Sequence, residues 1–336
     1  MELTHLEVVS RQAIDRFVKT YMTATAAAAY AAVKQGAAGE DVDTSFAFQN
    51  RRIRANLYMS AAGINAAFRV LNDKIPTLEE LYLPQGIERL ASFQDGLVIA
   101  VGVTGSGKST TLASIIDIIN HTRAENIITM EDPIEYIYTP DRARIQQREI
   151  GTHTPSFGAA LRGAMRQDPD VVLLGELRDL DTISNALTLA ETGHLTFCTL
   201  HAKSVPETID RIIDVFPEGK QEQIRVQLAS VLRAVIHQKL VPNRSGGRVP
   251  LVELLMTDET IAGMIRQKQP SNSIRDYLRS QRLSGNVHIV DNVVWHCRAG
   301  HISLEQVQTV LTPEDYALAQ SILASGKNTL FGGARR

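Results

Sequence analysis

The chain has 336 residues, 44% of them hydrophobic, which is enough for a sizeable core and predicts about two domains. Its 35 Lys and Arg are balanced by 37 Asp and Glu, so the net charge of −2 excludes the basic excess typical of nucleic-acid-binding proteins. Cys198 and Cys297 lie far apart without a metal-binding spacing, which fits a reducing, cytoplasmic compartment, and we expect Cys198 to be a buried thiol. We expect no signal peptide, and the alanine-rich residues 24–33 are too few to span a bilayer.

Residues 1–75 predict a small α+β domain. The first 35 residues are rich in alanine and predict helix. Alternating apolar residues then predict strands at 44–48, 52–59 and 63–69. A linker at 76–90 follows, in which Thr77 and Glu80 have the spacing of a helix capping box.

From residue 91 onward, short apolar segments alternate with helical ones, which predicts a parallel sheet covered by helices on both faces. We expect strands at 97–101, 126–130, 171–174, 195–200, 234–241 and 248–256. We expect helices at 180–191, 207–215 and 221–237. This α/β core therefore covers 91–256, and a helical region covers 257–336.

Residues 102–109 read Gly-Val-Thr-Gly-Ser-Gly-Lys-Ser, the G-x-x-x-x-G-K-[ST] pattern of a phosphate-binding loop, or P-loop. A predicted strand precedes it and a predicted helix follows, and this context separates a P-loop from a chance Gly/Ser turn. In such a loop backbone N–H groups bind phosphate, Lys108 reaches the β- and γ-phosphates, and Ser109 binds Mg²⁺. The candidate nucleotide-binding residues are Gly102, Thr104, Gly105, Ser106, Gly107, Lys108, Ser109 and Thr110.

A second apolar segment, at 170–176, ends in Glu176. A carboxylate at the end of a strand near a P-loop is well placed to activate the attacking water. Gly175 stands where an aspartate usually precedes that glutamate. The alternative is a surface glutamate that follows a core strand, and the P-loop upstream favours the catalytic interpretation.

Glu131, Asp132 and Glu135 place three carboxylates within five residues after a predicted strand. A cation would relieve their mutual repulsion, so Glu131 and Glu135 are candidates to hold Mg²⁺ or a bridging water. On composition alone, the alternative is a solvated acidic turn.

His201 follows the predicted strand at 195–200 and is a candidate sensor of the γ-phosphate. A single histidine at a strand end can equally be a structural hydrogen-bonding residue. From these residues alone, both interpretations stay open.

These four segments, in this order and spacing, resemble the secretion traffic ATPases of type IV pili and of type II and type IV secretion, and most closely the pilus retraction ATPases. The matching segments are GVTGSGKSTT at 102–111, ITMEDPIEY at 128–136, LRGAMRQDPDVVLLGELRDLDTI at 161–183, ALTLAETGHLTFCTLHAKS at 186–204 and TIDRIIDVFP at 208–217. In that family the first four are called Walker A, Asp box, Walker B and His box, and Walker B lacks the penultimate aspartate. The resemblance covers about residues 42–312.

The resemblance also implies a role for arginines of the N-terminal domain. In that family such arginines reach a neighbouring subunit's nucleotide, where a guanidinium stabilises charge on the transferred phosphoryl group. The matching positions here are Arg54 and Arg69, and the alternative is that both are exposed strand residues. Ala62 stands at the position of a further family arginine.

Three features depart from the family pattern. The N-terminal domain lacks the family's first strands, so we expect it to be truncated. Residues 260–267 keep only Ile261, Ile265 and Arg266 of a retraction-type motif. Two cysteines cannot form the tetracysteine zinc module of the assembly-type relatives.

The sequence therefore predicts an α/β protein with a RecA-like P-loop ATPase core, a small truncated N-terminal α+β domain and C-terminal helices. The resemblance implies a homohexamer that uses ATP and Mg²⁺ to do mechanical work on a type IV pilus, in retraction and twitching, or on a related secretion machine. We expect it in the cytoplasm beside an inner-membrane platform protein, without membrane insertion and without nucleic acid. The alternatives are a conjugation or type IVB secretion ATPase, a nucleic-acid translocase, and a nucleotide-gated scaffold that does not hydrolyse ATP.

Overall fold

Two β-sheets organise the chain, one of three strands near the N-terminus and one of seven strands in the centre. The computed structural model describes residues 9–22, 24–34, 41–48, 51–61, 63–71, 74–280 and 285–326. The strands are β1 (Val42–Phe48), β2 (Arg51–Ser60), β3 (Gly63–Val70), β4 (Gly96–Val101), β5 (Asn126–Glu131), β6 (Arg144–Glu149), β7 (Val171–Leu174), β8 (Leu195–Leu200), β9 (Leu232–Pro242) and β10 (Arg248–Met256).

The helices lie before, between and after these strands. They are α1 (Arg11–Tyr21), α2 (Ala24–Lys34), α3 (Lys108–Thr122), α4 (Phe157–Ala164), α5 (Leu180–Glu191), α6 (Val205–Asp214), α7 (Glu218–Val231), α8 (Glu259–Arg266), α9 (Ser271–Ser280), α10 (Ile289–Arg298) and α11 (Pro313–Ser325). Short 3₁₀ helices add Gln85–Ser92 and Glu305–Val307. None of the helices in these described stretches is long and apolar enough to cross a membrane.

The N-terminal sheet has antiparallel strands in the order β1-β2-β3. Successive strand residues point to opposite faces, and the apolar face packs against α1 and α2 through a cluster that includes Val18, Tyr30 and Leu57. The predicted strands are present, each one or two residues longer than expected. The predicted helical stretch is two helices within the described residues, and its first eight residues lie outside them.

The central sheet has the order β10-β9-β4-β8-β7-β5-β6. All its neighbouring strands run parallel except β9 and β10, which pair antiparallel because a short turn connects them directly. The expectation of a parallel sheet is therefore correct for six strands and wrong for β10. The sequence pattern does not predict β6, because this edge strand is polar and half-exposed.

The boundary between α7 and β9 corrects another prediction. The expected helix at 221–237 ends at Val231, and the chain continues as a strand from Leu232. Apolar residues spaced as in a helix run directly into a buried strand, and periodicity does not distinguish the two over so short an overlap.

Two hydrophobic clusters lie on the two faces of the central sheet. One face packs against α4 to α9, and the other packs against α3 and the 3₁₀ helix Gln85–Ser92. Phe197 of β8 is fully buried, and burial of one such side chain contributes roughly 1.5–3 kcal/mol. Cys198 is fully buried, as predicted. Strands covered on both faces explain the continuous apolar runs in the sequence.

The strand order places the predicted functional segments along one edge of the sheet. Strands β4, β8, β7 and β5 are parallel neighbours, so their carboxyl ends lie side by side. The P-loop follows β4, His201 follows β8, Glu176 follows β7 and Glu131 ends β5. This edge is where open α/β sheets bind their ligands.

Candidate functional site

A cleft of roughly 730 Å³ lies at this edge, between the central sheet and the N-terminal sheet. All but one of the predicted site residues line it: Arg54, Arg69, Thr104, Gly105, Ser106, Gly107, Lys108, Ser109, Thr110, Glu131, Glu135, Glu176 and His201. The exception, Gly102, is buried beneath the loop, where its carbonyl accepts a hydrogen bond from Lys108. The structure therefore brings the residues of five separate segments into one cleft.

The P-loop joins the buried strand β4 to α3, which begins at Lys108. Gly107 has φ +89°, a left-handed conformation that glycine adopts without strain. A Cβ atom at Gly107 would lie 2.6 Å from Nε2 of Gln238, and one at Gly102 would lie 2.3 Å from the Gln238 carbonyl oxygen. A larger residue at Gly102 would meet the backbone of β9 and push the loop away from the sheet. One at Gly107 would be strained by the left-handed backbone and would displace the Gln238 side chain.

Lys108 folds back onto its own loop. Its Nζ donates to the carbonyl oxygens of Gly102 at 2.9 Å and Val103 at 3.0 Å. Burial lowers the pKa of Lys108, and the charges of Glu176 and Glu135 partly oppose that shift. The ammonium group of Lys108 would form stronger hydrogen bonds with an anion than with these neutral carbonyls. The loop is therefore suited to a phosphate group.

Ser106 adds a second indication that the loop accepts an anion. Its hydroxyl is buried and has no hydrogen-bond partner in the described part of the chain. Buried polar groups are normally paired, and a phosphate oxygen in the loop would supply the missing partner. The residues present therefore fit a bound nucleotide.

Glu176 lies between two basic side chains. Its Oε1 is 3.2 Å from Nε2 of His201, and its Oε2 accepts a hydrogen bond of 2.8 Å from Nε of Arg178. Arg178 also approaches Asp132, with 3.6 Å between Nη1 and Oδ2. Both oxygens of the candidate base are thus held in fixed directions, and His201 contacts the base itself.

Glu131 is held inside the acidic segment. It accepts hydrogen bonds from Thr129 Oγ1 at 2.6 Å and from Gln147 Nε2 at 3.3 Å. Burial raises the pKa of Glu131 to about 7. A carboxyl group that is this costly to ionise gains from a cation or a proton donor placed beside it.

A magnesium ion fits this donor set only together with a nucleotide. Among the described residues, no group of three or more His, Cys, Asp or Glu side chains forms a metal site by itself. The exposed hydroxyl of Ser109 and the carboxylates of Glu131 and Glu135 line the same cleft. Mg²⁺ commonly takes one or two protein ligands and completes its shell with phosphates and water, which these residues can accommodate.

Arg54 and Arg69 face each other across β2 and β3. Like charges directly opposite in a sheet repel, and Asp43 lies 3.6 Å from Arg54. Both arginines line the cleft of their own chain. No neighbour is needed to bring an arginine to this cleft, and action on a neighbouring subunit's nucleotide stays a prediction.

The sequence patterns do not single out Arg178 or Gln238. Arg178 lies two residues after Glu176 inside a segment that carries the family resemblance, so its spacing was an available signal. Gln238 is a buried polar residue in an apolar strand, and it accepts a hydrogen bond of 2.8 Å from Thr111 Oγ1. A lone amide in a core strand points to a partner of this kind.

The family model described as "Type II/IV secretion system protein" matches residues 65–309. The chain belongs to this family. That match includes the cleft except Arg54, which precedes it. The predicted family and the RecA-like α/β fold class are thereby confirmed, while the roles of individual site residues stay predictions.

Several relatives in the type II/IV secretion system protein family carry names that describe their work. A twitching motility protein of Neisseria gonorrhoeae is 44% identical over 247 residues, which cover 73% of this chain and 66% of the relative. The type IV pilus retraction ATPase PilT of Pseudomonas aeruginosa is 43% identical over 231 residues, 68% of this chain and 67% of the relative. The chain thus spans about two thirds of the length of these curated relatives.

Two solved structures of the family share the fold. A crystal structure of the pilus retraction motor PilT with bound ADP has a TM-score of 0.78 at 38% identity, and covers 89% of this chain and 84% of that one. The Legionella pneumophila ATPase DotB has a TM-score of 0.75 at 29% identity, and covers 96% of this chain and 86% of that one. Both similarities extend beyond the central sheet.

Proposed function

We propose that this chain is a subunit of an ATP-hydrolysing motor that acts on a type IV pilus, in retraction and twitching motility. Its ATP hydrolase activity follows from its family, in which PilT binds ADP. The observation that carries the proposal is the cleft where the P-loop, Glu176 and two N-terminal arginines meet. A phosphate binder, a candidate base and cations for the transferred group are the parts that phosphoryl transfer to water requires.

The roles of the residues follow from their positions. When a nucleotide binds, Lys108 replaces its hydrogen bonds to the loop carbonyls with contacts to the β- and γ-phosphates. Glu176 accepts a proton from the attacking water. His201 holds Glu176 and contacts the γ-phosphate side, and Arg54 and Arg69 stabilise charge on the transferred group. Ser109, with Glu131 or Glu135, would hold Mg²⁺, which would neutralise part of the phosphate charge.

The assembly and the location complete the proposal. The working form is a homohexamer in the cytoplasm that binds an inner-membrane platform protein of a pilus or secretion machine. The support is the family itself, whose named relatives include PilT and the type II secretion protein E of Aeromonas hydrophila. Nucleic acid is not among the expected partners, and turnover stimulated by DNA in a salt-dependent way would favour the translocase alternative.

A type IVB secretion ATPase is the second candidate function. The DotB structure covers more of this chain than the PilT structure does, 96% against 89%, although at lower identity. Expression of the chain in a piliated bacterium that lacks its retraction ATPase separates the two functions. Restored twitching supports retraction, and unrestored twitching with normal ATP turnover supports secretion.

ATP turnover by the purified full-length chain tests the hydrolytic proposal. Lys108→Ala removes the ammonium group that neutralises the β- and γ-phosphates, so we expect turnover to fall by roughly a hundredfold or more. Lys220→Ala, on the exposed surface of α7, is the matched control and leaves turnover unchanged. Undiminished turnover in Lys108→Ala would contradict the proposed mechanism.

A further inference from the structure

A buried carboxylate, Glu149, joins the N-terminal sheet to the acidic segment of the cleft, and the mechanism above gives it no role. Glu149 ends β6 and is only 3% exposed. Its two oxygens accept hydrogen bonds from the hydroxyl of Ser45 in β1, at 2.8 and 3.0 Å. It also accepts from Thr152 Oγ1 at 3.1 Å and from the backbone N–H of Ile134 at 3.2 Å.

Burying an ionised carboxylate is costly unless donors surround it. The described donors to Glu149 belong to three separate segments: β1, the turn after β6, and the acidic segment that contains Ile134. Each donor gains a charge-assisted hydrogen bond only if its segment stays in place. Glu149 therefore holds the three segments in one fixed arrangement.

Ser45 is the first member of a row that crosses the N-terminal sheet. In the strand register Ser45 lies directly opposite Arg54, and Arg54 lies directly opposite Arg69. Residues that are opposite in an antiparallel pair share a face, so all three side chains lie on the face toward the cleft. Ser45 is thus linked through the strand pairing to the two strands that carry the arginines.

On the other side Glu149 is connected to the backbone of the segment that carries Glu131 and Glu135. It lies opposite Glu131 in the β5–β6 register, and the N–H of Ile150 donates to the Glu131 carbonyl at 2.9 Å. The backbone N–H of Ile134, which donates a hydrogen bond to Glu149, belongs to the turn between Glu131 and Glu135. Glu149 thus lies between the arginine row and the acidic segment, in contact with both.

We propose that Glu149 and Ser45 are positioning residues that seat the row Ser45–Arg54–Arg69 over the γ-phosphate end of the cleft. The inference rests on the proposed function, since it assigns the arginines to the phosphate that hydrolysis removes. Two opposed arginines repel each other, and Asp43, 3.6 Å from Arg54, offsets part of that repulsion. An anchor at the end of the row acts whether or not an anion is bound. The Glu149–Ser45 contact provides that anchor at the end of the row.

Ser45→Ala tests the anchor with the smallest change, the loss of one hydroxyl. Because the arginines act on the γ-phosphate, we expect affinity for the non-hydrolysable analogue AMP-PNP to fall roughly five- to tenfold while ADP affinity changes less than about twofold. Calorimetric titration of the full chain with each nucleotide measures both values. Ser60→Ala, at the far end of the same sheet, is the matched control and leaves both affinities unchanged.

A double-mutant cycle separates positioning from general damage. In an Arg54→Ala, Arg69→Ala background, Ser45→Ala has no further effect on AMP-PNP affinity, because Ser45 acts only through the arginines. Glu149→Gln, which keeps the side-chain shape, lowers AMP-PNP affinity in the same direction as Ser45→Ala. The proposal is overturned if Ser45→Ala weakens both nucleotides equally, changes neither, or retains its full effect in that background.

The analogue titrations also keep this inference separate from the proposed function. A wild-type chain that binds AMP-PNP but does not hydrolyse ATP would refute the motor, and the ratio of AMP-PNP to ADP affinities would still decide the role of Ser45. If the wild-type chain hydrolyses ATP but Ser45→Ala leaves the ratio of AMP-PNP to ADP affinities unchanged, the proposed motor function stands and the role of Ser45 as an anchor is refuted.

Discussion

At the scale of single residues, Glu176 holds its two carboxylate oxygens against different partners, His201 on one side and Arg178 on the other. A carboxylate fixed in this way, if it is the base, presents the same lone pairs to every incoming water. The sequence identifies Glu176 and His201 because both follow core strands in a recognisable motif. It does not reveal their mutual contact, which depends on β7 and β8 being neighbours in the sheet.

Glu176→Gln is expected to separate chemistry from binding. The amide cannot accept a proton from water, so turnover falls by roughly 10²- to 10⁴-fold. ADP affinity, measured by calorimetry, stays close to the wild-type value because the P-loop is intact. Glu222→Gln, on the exposed side of α7, is the control with normal turnover. Turnover within a few-fold of wild type would remove Glu176 from the role of base.

Glu253 of β10 gives a prediction about pH that is independent of the cleft. Burial, and then the charge of Asp315, raise the pKa of Glu253 from its ordinary value of 4.5 to about 7. Between those two pH values the folded chain binds more protons than the unfolded chain, so this group lowers stability as the pH rises. Above a pH of about 7 the loss from Glu253 is complete.

Glu253→Gln removes that pH-dependent loss. Relative to wild type, the variant is therefore more stable at about pH 8 than at about pH 5, and the difference amounts to roughly 2–3 kcal/mol. Denaturant unfolding of both proteins at the two pH values measures it. A stability difference that is the same at both pH values would show that Glu253 titrates normally.

At the scale of elements, the sequence predicts most of the central sheet because buried parallel strands leave continuous apolar runs. It does not predict β6, whose polar residues serve the cleft and the sheet edge instead of a core. It also extends a helix into β9, since helical spacing and a buried strand overlap at 232–237. Both errors therefore occur where the residue pattern of a segment is shaped by more than its own secondary structure.

The P-loop shows how close packing of elements controls a binding site. Gly107→Ala combines a left-handed backbone, φ +89°, with a Cβ atom 2.6 Å from Gln238. We expect the loop to shift and nucleotide affinity to fall roughly tenfold or more. Gly219→Ala in α7 is the matched control, because no atom lies within 4 Å of its Cβ position. Unchanged ADP affinity in Gly107→Ala would show that the loop tolerates the displacement.

At the scale of the whole molecule, the divisions predicted after residues 75, 90 and 256 stay predictions. One apolar cluster belongs to the N-terminal sheet with α1 and α2, and another joins α10 and α11 to β9 and β10. The family resemblance predicts the arginines of the N-terminal sheet. The resemblance does not predict that these arginines line the cleft of their own chain, because that placement depends on packing between distant segments.

The oligomeric state is the prediction that belongs to this scale. Light scattering of the purified chain with ADP is expected to give about six times the chain mass of 37.0 kDa. Turnover per subunit then rises with protein concentration as rings form. A strict monomer with full turnover would contradict a ring motor and leave the single-chain cleft as a sufficient catalyst.

The N-terminal sheet meets the cleft through its polar face, which carries Ser45, Arg54 and Arg69, while its apolar face is already covered by its own helices. Separating this sheet from the core would therefore expose mainly hydroxyl, guanidinium and carboxylate groups to solvent. Water solvates these groups well, and little apolar surface would be exposed. The hydrophobic effect therefore contributes little to this contact, which depends instead on hydrogen bonds such as the one from Ser45 to Glu149.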